Sequence, residues 1–173
     1  DSFSDGGRFL DPAAAIEHGL GLAEEGADML DVGAESTRPG AHPVSPEQQI
    51  ARVVPVIEAL VKRTPVAISI DTSDPAVMRA AVAAGAGFIN DVRALRSEGA
   101  LEAAAELQVP VCLMHMQGEP GSMQDNPQYD DVVGEVQRFL SDRVFACQLA
   151  GIDKARIVVD PGFGFGKSLQ HNL

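Results

Sequence analysis

Short apolar segments alternate with longer segments of helical periodicity along this chain. Five of the apolar segments show almost no alternation of polar and apolar positions, which is typical of parallel strands buried on both faces. These predicted strands are 28–33, 66–71, 88–92, 109–115 and 156–160.

Proline, glycine and small polar residues mark the ends of the intervening helices. Asp11-Pro12 and Asp74-Pro75 each place a capping residue before a first-turn proline, and Ser45 with Gln48 has the spacing of a capping box. The predicted helices are 12–26, 46–63, 75–85, 100–108 and 129–149. This order predicts a parallel α/β fold, and a barrel and an open doubly wound sheet both fit it.

Composition narrows the class of protein. The chain has 173 residues, 45% of them hydrophobic, and a formal net charge of -12. This length suits a single domain with a real core, and the acidic balance argues against a nucleic-acid partner. No apolar run approaches the roughly 18 residues that span a membrane. Two cysteines cannot build a disulfide framework, so we expect a cytoplasmic protein.

Polar residues gather where the predicted strands end. Asp71, Asn90 and Asp160 lie in or directly after three different strands, and the carboxyl ends of parallel strands are where ligands bind. Each residue alone could equally be a helix cap or a turn former. Further polar residues of this kind are Asp31, Glu35, Asp91 and His115. The repetition over several strands predicts a polar pocket.

The residue types in this pocket indicate what it would bind. Asp71 and Asp160 are carboxylates that accept paired N–H bonds, and Asn90 adds an amide. Such a set suits a ligand with several N–H donors beside a carbonyl group. Pterins, purines and guanidines all carry that edge.

The glycine-rich segment 160–168 fails both common phosphate-binding patterns. A Walker A loop needs glycine where Pro161 stands, and the third glycine of the dinucleotide fingerprint would fall on Lys167. We therefore expect a flexible turn whose backbone approaches a ligand closely. Phe163 and Phe165 could form an aromatic wall there or belong to the core.

A second loop carries Ser36, Thr37 and Arg38. The Arg38 cation beside hydroxyl groups is a sensible partner for phosphate in an acidic protein, although a single arginine is commonly a surface residue. No pair of histidines or cysteines has metal-ligand spacing, so a structural zinc site is not expected.

Six motifs, in order along the chain, resemble those of the dihydropteroate synthase family. They are Asp1–Gly7, Asp31–Gly40, Ser69–Ser73, Ile89–Val92, Leu113–Met116 and Asp160–Lys167. The resemblance implies a TIM (β/α)₈ barrel, of which residues 1–173 form a single, partial pterin-binding domain covering roughly strands 2 to 6. It also implies transfer of a pterin-methyl group from 6-hydroxymethyl-7,8-dihydropterin diphosphate to 4-aminobenzoate in folate biosynthesis, with release of diphosphate.

The resemblance also assigns roles to residues. Asp71, Asn90 and Asp160 would hold the pterin ring, with Met114 packing nearby. Thr37 and Arg38 would lie near the diphosphate and the 4-aminobenzoate pocket, with Arg38 in a catalytic role. Phe3 and Phe165 would flank the aminobenzoate ring, and Asp5, on a mobile loop, would organise the reacting centre.

The family pattern extends beyond both ends of the chain. Mg²⁺ is implied as cofactor, and its asparagine ligand is expected before Asp1, so no metal ligand is assigned here. A homodimer is also implied. A barrel of this kind needs about 250 residues, and residues 1–173 alone are therefore expected to be inactive and poorly soluble, with strand edges exposed.

Two other functions fit the same pocket. One is a pterin-binding methyltransferase, against which the segments 36–39 and 163–167 argue because they match the aminobenzoate side of the synthase pattern. The other is a non-catalytic pterin-binding protein.

Overall fold

Five parallel strands form one sheet in which every strand lies beside its neighbour in the chain. The computed structural model describes residues 11–35, 44–118, 123–124 and 126–173. The strands are β1 Met29–Gly33, β2 Ala67–Asp71, β3 Phe88–Asp91, β4 Val111–Met114 and β5 Ile157–Asp160. The helices are α1 Pro12–Glu24, α2 Pro46–Arg63, α3 Pro75–Ala84, α4 Ala100–Leu107 and α5 Val132–Leu149. Short 3₁₀ turns occupy Lys154–Arg156 and Gln170–Asn172.

The strand order decides between the two architectures that periodicity left open. A doubly wound sheet reverses its strand order at a switch point, whereas the strands of a barrel follow one another around the axis. The order β1-β2-β3-β4-β5 contains no reversal. The described strands therefore have the arrangement of consecutive units of a (β/α)₈ barrel.

The predicted capping residues act as expected. The Asp74 carboxylate accepts hydrogen bonds from the backbone N–H groups of Ala76 (2.8 Å) and Val77 (3.1 Å), and α3 ends at Gly85 with φ of 117°. A side chain at Gly85 would also lie 2.9 Å from Val61 on α2. Glycine there permits both the left-handed turn and close packing of α2 on α3.

The prediction for the start of α5 is wrong by three residues. The helix begins at Val132, because Asp131 caps it by accepting a hydrogen bond from Gly134 N (3.1 Å). Tyr129, the predicted first residue, instead donates a hydrogen bond from its hydroxyl to the carbonyl of Gly166 (2.7 Å). In the described part of the chain, no helix is long and apolar enough to cross a membrane.

Side chains alternate between the two faces of the sheet. One face packs on the helices and forms the main core with buried aliphatic residues from all of the first four strands. These are Leu30, Ile68, Ile70, Ile89, Val111 and Leu113. The opposite face, here called the interior face, carries the residues one position away in each strand. The strands thus separate a hydrophobic core from a second, more polar surface.

Asp91 lies on the helix-facing side and holds the loop after β3. It is fully buried, and its carboxylate accepts hydrogen bonds from Ser73 Oγ, Arg93 N (2.8 Å) and Leu95 N (2.8 Å). Burial raises the pKa of Asp91, and these three hydrogen bonds oppose the rise. The same loop contains Ala94 and Leu95, both at positive φ (54° and 57°). Asp91 thus stabilises a strained backbone that few other residues would hold.

We expect Asp91→Asn to lower the free energy of unfolding of the full-length protein by about 2 kcal/mol. The two carboxylate oxygens accept from different N–H groups, so the amide would turn its own N–H group toward one of them. Urea denaturation measures the change, with the exposed Asp28→Asn as control. Equal stability of the two variants would contradict this role for Asp91.

Candidate active site

The register of the sheet brings four predicted site residues to the interior face. Asp71 on β2 pairs with Asn90 on β3, and Asn90 pairs with Cys112 on β4. Two residues further along β4, Met114 pairs with Asp160 on β5. Residues two apart in a strand face the same way. Asp71, Asn90, Met114 and Asp160 therefore share one face, in two adjacent layers at the carboxyl ends of the strands.

Asp71 has room on this face because its neighbour on β1 is a glycine. Gly33 pairs with Asp71, and a Cβ at Gly33 would lie 3.3 Å from the Asp71 Cβ and 3.4 Å from its Oδ2. Any side chain at position 33 would crowd the carboxyl group. Glycine here leaves an open place beside Asp71.

Asn90 is oriented by a carboxylate on β1. Its side-chain nitrogen donates to Asp31 Oδ2 at 3.1 Å. Because the NH₂ group is turned to Asp31, the amide oxygen of Asn90 remains as an acceptor for a ligand N–H group. Asp31 was noted among the strand-end residues without a role, and the structure shows that it positions Asn90.

Asp160 is held by the turn that follows β5. Its Oδ1 accepts a hydrogen bond from Gly162 N at 2.7 Å. The bond orients the carboxylate at the rim of the sheet, and the second oxygen can accept from a ligand. The side chain is only partly buried, as suits a group that contacts a small molecule.

Several carboxylates crowd the interior face. Burial raises the pKa of Asp71 to about 8, and the negative charges of Asp31, Asp91 and Glu35 add to this effect. Burial, with the charges of Asp160, Asp31 and Asp91, likewise raises the pKa of the Cys112 thiol to about 11. The charges of Asp31 and Asp91 act on both Asp71 and Cys112, and in both groups burial and these charges favour the protonated form.

An apolar cluster borders this polar face. Met114 packs there with Val92, Met116 and Met123, and Phe165 lies against the group. Phe163, the other aromatic residue that was considered for a wall, is 67% exposed. Of the two phenylalanines, only Phe165 contacts the cluster beside Asp160.

The glycine-rich turn approaches protein backbone closely at two of its glycines, and its expected approach to a ligand stays a prediction. A Cβ at Gly162 would collide with the carbonyl of His115, and one at Gly166 would lie 2.5 Å from the carbonyl of Gln117. Both glycines are at positive φ. They let residues 161–168 pack directly on the segment after β4.

Lys167 is a buried residue of this turn to which sequence reasoning gave no role. Its Nζ contacts His115 Nδ1 at 2.9 Å and the carbonyls of Gly162 (3.0 Å) and Phe165 (3.1 Å). The glycines around it could have been a signal of close packing, but the partner His115 is 52 positions away in the chain.

Four predicted site residues lie outside the residues that the structure describes: Phe3, Asp5, Thr37 and Arg38. Within the described ranges, no group of three or more histidine, cysteine or acidic side chains is placed to hold a metal ion. The residues that can be described therefore do not by themselves form a Mg²⁺ site.

Two carboxylates and an amide on the interior face of consecutive barrel strands are typical of a small-molecule binding site. The model of the family described as pterin binding enzyme matches residues 1–173. This chain belongs to the pterin binding enzyme family.

Individual relatives are dihydropteroate synthases. The chain is 53% identical to that of Escherichia coli (strain K12) over 99% of its own length and 61% of the relative's. It is 50% identical to that of Haemophilus influenzae, again over 99% of the chain and 62% of the relative. The chain thus spans about three-fifths of the length of the curated relatives it matches.

Solved structures give the same result. The Yersinia pestis dihydropteroate synthase in a sulfonamide drug complex matches with a TM-score of 0.96 and 50% identity, covering 99% of this chain and 62% of that one. The Xanthomonas albilineans enzyme with 4-aminobenzoic acid matches with a TM-score of 0.89 and 62% identity, covering 98% and 60%. The prediction of a TIM barrel is confirmed by this likeness together with the strand order.

We expect the stability of the ligand-free, full-length protein to fall between about pH 4 and pH 8, in part because of Asp71. The pKa of Asp71 is raised in the folded state, so the folded protein holds a proton that the unfolded chain has lost. Stability from this group is complete at low pH and is lost as pH rises toward about 8.

Asp71→Asn should remove this contribution and flatten the pH dependence. Urea midpoints of the two proteins over this pH range measure the difference, with the exposed Asp28→Asn as control. Parallel curves for the wild type and Asp71→Asn would show that Asp71 ionises normally.

Proposed function

We propose that the full-length protein is a dihydropteroate synthase. In this role it condenses 6-hydroxymethyl-7,8-dihydropterin diphosphate with 4-aminobenzoate to give 7,8-dihydropteroate and diphosphate. The observation that carries the proposal is the placement of Asp71, Asn90 and Asp160 on one face at the carboxyl ends of three strands. Support comes from relatives of that name at 53% and 50% identity over nearly the whole chain.

The ring of the pterin substrate fits the three polar groups. Its amino and ring N–H groups would donate to the carboxylates of Asp71 and Asp160, and Asn90 would accept through its amide oxygen. Binding of N–H donors favours the ionised form of Asp71, which opposes the effect of burial on its pKa. The flat apolar face of the ring would pack near Met114.

The reaction would proceed by departure of diphosphate. The C–O bond breaks with its electron pair leaving on the diphosphate, and the methylene carbon becomes a cation that the electron-rich pterin stabilises. The neutral arylamine nitrogen then attacks this carbon and loses a proton. The negative charge of Asp71 and Asp160 near the ring favours the developing positive charge.

Five residues are assigned to the aminobenzoate side of the site, and the structure describes one of them. Phe165 lies at the edge of the apolar cluster, where its ring can flank an aromatic acid. Phe3 would flank the other side, Thr37 and Arg38 would bind near the diphosphate and aminobenzoate, and Asp5 would order the reacting centre. These roles remain predictions from the resemblance.

The cofactor, the compartment and the assembly also remain proposals. Mg²⁺ is expected from the resemblance, and the described residues do not by themselves form a site for it. The free thiols of Cys112 and Cys147 are consistent with a reducing cytoplasm. A homodimer is proposed on the resemblance alone.

The proposed activity is tested on the full-length protein with both substrates. We expect diphosphate release and dihydropteroate formation that both require 4-aminobenzoate. Two alternatives give other results. A methyltransferase would consume a methylated pterin without 4-aminobenzoate, and a non-catalytic protein would bind pterin diphosphate by calorimetry without turnover. Either result would overturn the proposal.

We expect Asp160→Ala to weaken pterin diphosphate binding by about 10- to 150-fold, since a hydrogen bond to a charged group contributes about 1.5–3 kcal/mol. Asp160→Asn keeps an acceptor for Gly162 N but lacks the charge, so its loss should be smaller. Calorimetry measures both variants beside Asp142→Ala, an exposed change on α5. Near-normal affinity of Asp160→Ala would contradict a pterin contact.

A further inference from the structure

We propose that Lys167 is a positioning residue for the aminobenzoate side of the site. Its ammonium group contacts both the turn after β5 and His115, which directly follows β4. We infer that these contacts fix the position of Phe165. The inference rests on the proposed function for the identity of the ring beside Phe165, and on the described contacts for everything else.

The Lys167 ammonium connects two separate segments of the chain. It donates to the carbonyls of Gly162 and Phe165 in its own turn, at 3.0 and 3.1 Å. It also contacts Nδ1 of His115 at 2.9 Å and the His115 carbonyl at 3.4 Å. The residue is only 5% exposed. Such a buried cation is costly unless surrounding acceptors satisfy it, as they do here.

Other contacts brace the same turn around Phe165. Gly162 O accepts a hydrogen bond from Phe165 N at 3.1 Å, and the Tyr129 hydroxyl donates to Gly166 O at 2.7 Å. The carbonyl of Phe165 is bonded to Lys167, while its ring lies against the apolar cluster of Met114. The backbone of Phe165 is thus held at both its N–H and its carbonyl group.

The charges around Lys167 suit a donor role at neutral pH. Burial lowers the pKa of Lys167 to about 8, and the Asp160 carboxylate opposes that change. Burial, then Lys167 and Arg96, lower the pKa of His115 to about 4, whereas Glu135 acts in the opposite direction. Burial and Glu135 raise the pKa of Tyr129 to about 12. Lys167 is therefore mainly charged near pH 7, and His115 is neutral and accepts at Nδ1.

Lysine is better suited to this place than an uncharged residue of similar length. An ammonium offers three donors to the four acceptors around it. Glutamine at position 167 would keep two N–H donors without charge, and methionine would keep the length without any donor. These two substitutions form a graded series that separates hydrogen bonding from packing.

The test is steady-state kinetics of the full-length protein carrying Lys167→Met, Lys167→Gln or the exposed control Lys154→Met. For Lys167→Met we expect the KM for 4-aminobenzoate to rise about tenfold and the KM for pterin diphosphate to change by less than about twofold. Lys167→Gln should fall between this variant and the wild type. A parallel rise of both KM values, or a change in neither, would overturn the proposal.

Hydrogen exchange supplies a readout that does not depend on activity. Amides of 162–168 should exchange faster in Lys167→Met, while those of β2 and β3 keep their wild-type rates. Unchanged exchange in 162–168 would refute the contact even if the kinetics shifted. Should the wild type form no dihydropteroate, the proposed function fails, and exchange alone then decides whether Lys167 orders this turn.

Tyr129→Phe provides a second, milder test if Lys167→Met does not fold. It removes only the hydrogen bond that the Tyr129 hydroxyl donates to the carbonyl of Gly166 in the same turn. We expect the same selective effect, with a rise of about threefold in the KM for 4-aminobenzoate. Equal effects on both substrates would show that order in this turn does not govern aminobenzoate binding.

Discussion

The alternation of side chains across a parallel sheet is the constraint on which the rest of this structure depends. Each strand must bury one set of side chains under the helices, and the residues one position away then face the interior. In β3, the side chains of Ile89 and Asp91 face the helices, so that of Asn90 lies on the interior face. Shifting the register of any strand by one residue would exchange these roles and destroy core and site together.

The same constraint explains how two neighbouring acidic or amide residues acquire different functions. Asn90 and Asp91 are adjacent in sequence, yet Asp91 is sealed among backbone N–H groups and supports a loop with two residues at positive φ. Asn90 donates a hydrogen bond to Asp31 across the intervening strand β2, and its amide oxygen remains an acceptor. The difference arises from the face of the sheet that each residue occupies. A buried carboxylate such as that of Asp91 is stable only where hydrogen-bond donors surround it.

Sequence patterns predicted the strands, the caps and the position of three polar residues at strand ends, because all of these depend on local spacing. They could not choose between barrel and open sheet, since both share the same order of elements and differ only in which strands pair. The start of α5 was misplaced because Tyr129 is engaged by a carbonyl 37 positions away. Lys167 was missed for the same reason, as its partner His115 lies on another strand end.

Several acidic groups placed close together lower the stability of the ligand-free protein. The same groups also affect which ligands can bind. Burial opposes ionisation of Asp71, and the negative charges of Asp31, Asp91 and Glu35 add to this effect, so a further negative charge at Asp71 is unfavourable. A ligand rich in N–H donors relieves that repulsion by bonding the carboxylates, whereas an analogue with fewer donors leaves them unsatisfied. Under the proposed function, selectivity for a nitrogen-rich ring would follow from the same burial and crowding of charge. Binding of such a ligand would then be coupled to proton release at Asp71. The ligand's N–H donors favour the ionised carboxylate, whereas burial and the nearby charges favour the protonated form when no ligand is bound.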